Sequence, residues 1–150
     1  MAYIDIDYLI AGVIKDQDLA DLGDHTNSPG QIGAADTIAN ITATIARADD
    51  TIDSYLRVVY DSTLPLTTVP EAIKDASATL AMAMLWRAKN RVNDVWEDRR
   101  TEVLAWLEKV AAGEVVLSLE DDTRVTSRRT TRGTSESDRK FTDAIWGKKF

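Results

Sequence analysis

The sequence predicts an all-α fold, a bundle of four to five helices with two long central helices and an extended C-terminal arm. Three observations predict it. Between Ile38 and Val59 apolar residues recur at alternating spacings of three and four, which is the period of one helix face and not of a strand. From Pro70 to Asn90 the chain is apolar nearly all round, as a buried helix is. Glycine and proline fall in the connections and leave the long stretch before Tyr60 uninterrupted.

Taken in order, Asp5 or Asp7 can cap a first short helix carrying Ile6, Leu9, Ile10 and Val13. Asp16 can cap a second, running through Leu19 and Leu22 and closed by Gly23. Gly23 to Gln31, with Asn27-Ser28-Pro29-Gly30, reads as a loop. The first long helix is expected from about Ile32 to Tyr60, with its stripe at Ile38, Ile41, Ile45, Ala48, Ile52, Tyr55 and Val59. Leu64-Pro65-Leu66 and Val69-Pro70 form a stiff connection, and Pro70 suits a first helical position. The next helix should run to about Asn90. Its apolar girth, which includes Met82, Leu85 and Trp86, makes it either central in the domain or covered by another subunit. Asn93 or Asp94 can cap a further helix bearing Val95, Trp96, Val103, Leu107 and Val110, with Trp106 alongside, and Gly113 ends it. Val115 to Leu119 is a short apolar run of open type.

At residue 120 the composition changes. Residues 120–150 hold eight Lys/Arg against six Asp/Glu, whereas the preceding part holds ten against nineteen. A weakly basic segment therefore follows an acidic body. Ser, Thr and Arg dominate it up to Asp138, and then Phe141, Ile145, Trp146 and Phe150 appear among Arg139, Lys140, Lys148 and Lys149. We accordingly divide the chain into a helical domain, 1–119, and a docking arm, 120–150, whose aromatic and cationic tip suits a protein partner. Candidate interface residues are Met82, Leu85, Trp86, Phe141, Ile145, Trp146 and Phe150.

Composition narrows the function. A net charge of -7 argues against bulk nucleic-acid binding and against an anionic membrane surface. The chain has no cysteine, hence no disulfide and no thiolate zinc site. Aspartates at 5, 7, 16 and 18 are foreign to a signal peptide, and the longest apolar run, Leu80 to Trp86, is far short of the roughly 20 residues of a bilayer span.

Groups that resemble chemistry dissolve on inspection. His25 has no nucleophile motif beside it and reads as a solvated loop residue. Asp16, Asp18, Asp21 and Asp24 lack the sixth-position glycine and closing glutamate of a calcium loop. Asp49, Asp50 and Asp53 read as an exposed acidic face. Arg87, Arg91, Arg99 and Arg100 are interleaved with Glu97, Asp98 and Glu102, as in solvated ion-paired faces. Trp86, Trp96 and Trp106, spaced by ten, suit a core or an interface. No phosphate-binding loop, dinucleotide fingerprint or HExxH motif is present. We expect no enzyme, no cofactor and no metal site.

Several phrases taken together carry a resemblance. They are Met1-Ala2-Tyr3-Ile4, Thr51-Ile52-Asp53-Ser54-Tyr55-Leu56 before Tyr60, Leu64-Pro65-Leu66 with Val69-Pro70, and the run from Leu107 to Leu117. Arg139-Lys140-Phe141-Thr142-Asp143 and Gly147 to Phe150 complete the series. It resembles a family of small proteins of Mu-like phages and prophages and, in fold, the helical head-completion adaptors of other long-tailed phages. The resemblance implies a structural head–tail adaptor, made in the host cytoplasm and placed at the head–tail junction of the virion. It implies a ring of twelve copies against the portal protein and downstream neck or tail proteins, with arms reaching a neighbour. The free chain would be monomeric, with no membrane role and at most transient contact with DNA in the lumen. A cytoplasmic helical regulator or binding module, dimeric through the Ile38–Val59 stripe, is the alternative.

Overall fold

The computed structural model describes residues 2–24 and 33–117, apart from the side chain of Ser62. Its elements are α1 (Ile6–Gly12), α2 (Asp16–Gly23), α3 (Ala35–Tyr60), a 3-10 turn (Asp61–Thr63), α4 (Glu71–Ala88) and α5 (Asp94–Ala111). Among the described residues there is no strand, so the body is the all-α bundle expected from the hydrophobic period. α3 packs on both α4 and α5, those two pack on each other, and α2 lies against α3.

The helix ends follow local chemistry. Asp5 caps α1, its carboxylate accepting from the Tyr8 N–H at 2.8 Å. Asn93 caps α5 by accepting from the Val95 N–H at 3.2 Å. α2 departs from expectation: Lys15 holds the cap position without a side-chain bond, and Asp16 is the first helical residue. There Asp16, with Asp18, favours the positive end of the helix dipole. α3 starts at Ala35, after an extended Ala34. α4 and α5 close in the same way. Asn90, at φ 52°, and Gly113, at φ 75°, take left-handed conformations. Beyond α4, the Arg91 and Asn90 N–H groups donate to Trp86 and Arg87 carbonyls, and beyond α5 Glu114 and Gly113 donate to Lys109 and Val110. Each pair of bonds satisfies carbonyls that a helix end leaves open.

α4 is the central helix. Ile73, Leu80, Ala81, Met82, Ala83 and Leu85 are fully excluded from solvent. Its many alanines let neighbouring helices approach closely around it. On α3, Ile41, Ile45, Ala48 and Ile52 are buried as the stripe requires, but Ile38 is 40 % exposed, and Leu56 and Tyr60 replace Tyr55 and Val59 as the buried pair. The buried face also takes in Thr37, Thr44 and Asp49. α3 receives neighbours on more than one side, so its interior face is wider than one apolar stripe. Thr44 meets the cost by donating to the Asn40 carbonyl one turn earlier, at 2.8 Å.

Gly23 ends α2 for packing rather than for a left-handed turn. A Cβ there would stand 2.7 Å from Ile41 Cγ1 and 2.9 Å from Thr37 Cγ2. Only a bare backbone lets α2 rest on α3 at this point, and Asn40 Nδ2 donates to the Gly23 carbonyl at 3.0 Å. At the other end of α3, the Leu117 N–H donates to the Tyr60 hydroxyl oxygen at 3.0 Å, both residues buried.

Candidate interaction surfaces

A recess of about 390 Å³ lies between the N-terminal segment and α3. Ala2, Ile4, Ile6, Ile45 and Ala46 give it an apolar lining, and Asp5, Asp7, Asp49, Asp50 and Asp53 give it its charge, with no cationic side chain among the described lining residues. The local fold explains the arrangement. Residues 42, 45, 46, 49, 50 and 53 share one side of α3 by helical spacing, and the N-terminal segment is held against that side by hydrogen bonds.

Those bonds run through Asp49, which was expected on an exposed acidic face and is instead 4 % exposed. One carboxylate oxygen accepts from the Tyr3 N–H at 3.0 Å and the other from the Ser77 hydroxyl at 2.6 Å, so one side chain joins the N-terminal segment, α3 and α4. Burial pushes the Asp49 carboxyl above its ordinary range, and its two hydrogen bonds oppose that shift. The Tyr3 hydroxyl donates to Asp53, while Asp50 points to solvent. Burial foremost, and then the Asp53 carboxylate, raises the Tyr3 phenol, so it stays protonated as the donor. Outside the recess, Tyr8 links α1 to α4 from 2.9 Å of both Glu71 and Asp75. The Lys74 ammonium and that phenol hold the Glu71 carboxyl below its usual range.

A second groove, of about 450 Å³, separates α3 from α4 and is cationic, with Arg47 and Arg87 beside Asn40, Ala43, Thr44 and Met84. Arg87 is engaged as expected: its Nε and Nη2 donate to the Glu97 carboxylate at 2.5 and 2.6 Å. Arg91 reaches Asp21 at 3.3 Å, and the Arg99 guanidinium lies 5.0 Å from the Trp96 ring centre. Val92 and Val95 are exposed at the turn between α4 and α5.

The expected interface residues of α4 need correction. Met82 and Leu85 are fully buried in the domain's own core and offer no surface to a second subunit. α4 is apolar all round because it is central in this one chain. Trp86 is partly buried against the same core, and its indole N–H has no hydrogen-bond partner among the described residues. Trp96 and Trp106 also pack against the core with part of their surface free. Phe141, Ile145, Trp146 and Phe150 lie outside the described residues, as do His25 and the division of the chain at residue 120. Among the described residues, no three His, Cys, Asp or Glu side chains are placed to hold a metal ion, and no helix is long and apolar enough to cross a membrane.

The sequence signal that could have revealed Asp49 is its register. It stands four residues after Ile45 and three before Ile52, within the apolar stripe itself.

Comparison with known proteins assigns this helical body. The model of the family described as Bacteriophage Mu, Gp36 matches residues 3–135, most of the chain and nearly all of the body. The chain belongs to the Mu Gp36 family. Among curated relatives it is similar to the Mu-like prophage FluMu protein gp36 of Haemophilus influenzae, with 37 % identity over 84 residues. That stretch covers 56 % of this chain and 57 % of the relative, so the chain matches little more than half the length of that protein. As a Gp36-family member the chain is phage-related, and the match takes in both the recess-forming Tyr3–Asp7 segment and the full length of α3.

Proposed function

We propose that this Gp36-family chain is a structural head–tail adaptor that stands in a ring between the portal protein and downstream neck or tail proteins. The observation that carries the reading is the family match across the helical body. The ordered phrases of the sequence support the finer role through their likeness to head-completion adaptors. In this reading the chain is not an enzyme. Its chemistry is that of contact surfaces, and twelve copies form a closed ring in which each interface is head-to-tail and repeats by rotation. The free chain is a monomer, and the arm from residue 120 onward engages a neighbouring protein. A charge of -7 keeps the lumen from gripping DNA in passage.

No observation favours the dimeric regulator. The stripe that would form its seam is occupied inside the monomer, where Ile41 and Ile52 are fully buried. Quantitative mass spectrometry of purified virions tests the adaptor reading. We expect the chain at roughly the abundance of the portal protein, and particles lacking the chain should have filled heads without tails. Absence from the virion overturns the reading.

A further inference from the structure

We propose that the acidic recess between the N-terminal segment and α3 is the resting dock of the chain's own residues 139–150 in the free, unassembled molecule. The observation behind this is complementarity. The recess combines an apolar lining at Ile4, Ile6 and Ile45 with carboxylates at Asp5, Asp7 and Asp50, and no described lining residue has a cationic side chain. Residues 139–150 carry the inverse set: Arg139, Lys140, Lys148 and Lys149 against one aspartate, interleaved with Phe141, Trp146 and Phe150. A volume of about 390 Å³ falls within the roughly 300–1,000 Å³ of pockets that enclose small ligands, enough for an aromatic anchor. Cations flanking such an anchor meet the carboxylates at the rim, where opposite charges reinforce apolar burial.

Tether length favours the same molecule over a second copy. The body holds Leu117 against Tyr60. Asp49 and Asp53 precede Tyr60 by eleven and seven residues on α3, a distance of about 10–17 Å at 1.5 Å per helical residue. Residues 118–138 are 21 in number, and a covalent connection of that many residues reaches at most about 70 Å. That reach exceeds the distance several times over, and a covalent tether of this length sets an effective concentration near the millimolar range. A second copy at micromolar concentration is outcompeted about a thousandfold. The dock therefore keeps the aromatic tip covered until a partner displaces it. This contact belongs to the free chain and does not depend on where the chain sits in a particle.

The absence of cysteine makes the test direct. In the full-length chain at 1–5 µM, Ala46→Cys in the recess is paired with Ile145→Cys, and disulfide formation under mild oxidation is followed by intact mass. Val58→Cys with Ile145→Cys is the reference. Val58 is exposed on α3 and closer to Tyr60, so an undocked arm reaches it at least as readily. We expect the recess pair to close within the monomer at least fivefold faster than the reference. The charge reversals Asp7→Lys and Asp50→Lys should abolish that bias, and adding Lys148→Glu and Lys149→Glu should restore it. Circular dichroism melting shows that each variant remains folded. Equal rates for the two pairs, or a bias that survives charge reversal, overturn the proposal. Cross-links of doubled mass whose yield rises with concentration also overturn it, in favour of a second copy.

Discussion

Removal of the Asp49 carboxylate is the sharpest test of how the body is held together. In Asp49→Ala the Tyr3 N–H and the Ser77 hydroxyl, both in buried residues, lose their acceptor at once. An orphaned buried donor costs about 1–3 kcal/mol. Two of them cost more than the relief from no longer burying a carboxylate, and we expect a net loss of about 3 kcal/mol. At about 4 °C per kcal/mol for a chain of this size, the midpoint should fall by about 12 °C. The assay is thermal and urea unfolding by circular dichroism at 222 nm, with Asp50→Ala as the exposed neighbour. That control should stay within about 0.5 kcal/mol of the parent. Asp49→Asn adds the pH dependence. The folded carboxyl titrates above its ordinary value of 3.8, so the folded state binds the proton more tightly than the unfolded chain. The contribution of Asp49 is then fully present below pH 3.8 and is lost as pH rises through the raised folded value. The stability of the parent minus that of Asp49→Asn should therefore shrink as pH rises across that window. An Asp49→Ala variant as stable as Asp50→Ala, or a difference that grows with pH, would refute the buried-carboxylate account.

Three further outcomes follow from other contacts. Gly23→Ala should destabilise by about 1–2 kcal/mol despite alanine's helix preference, because its Cβ meets Ile41 and Thr37; Gly12→Ala, with open space around it, should be neutral or slightly stabilising in the same melts. Tyr60→Phe should cost about 1–2 kcal/mol and raise hydrogen exchange at the Leu117 amide, whose acceptor it removes; unchanged exchange there would count against the contact. Arg87→Ala should cost under about 1 kcal/mol, since its side chain is 52 % exposed, and the loss should shrink in high salt.

The sequence made the helices legible wherever a local rule governs. Asp5 and Asn93 cap by reaching an N–H two or three residues on, and Gly113 closes α5 through a pair of bonds within residues 109–114, so their chemistry is contained in a short window. Asp49 was misplaced because its partners are 46 and 28 residues away. Its register in the apolar stripe marks an inward position, but no local rule names the distant N–H and hydroxyl that satisfy the carboxylate there. Gly23 is legible only as a helix stop for the same reason, since the side chains that exclude a Cβ belong to another helix. Met82 and Leu85 show the converse limit. An all-apolar helix is equally consistent with a central position and with a subunit interface, and only the packing of α3 and α5 around it decides. The acidic recess required the N-terminal segment to cross α3, which no spacing rule on either segment contains.

The clasp between Leu117 and Tyr60 has a mechanical meaning. A pull on the segment beyond residue 117 enters the body at Leu117, where a phenolic hydrogen bond and the burial of the leucine side chain join it to the end of a 26-residue helix. The first element to yield is that clasp, together with the two residues between it and the Gly113–Glu114 closure of α5. Only after it releases does load reach the packing between the long helices themselves. The joint acts as a short compliant coupling that takes up strain before the bundle feels it.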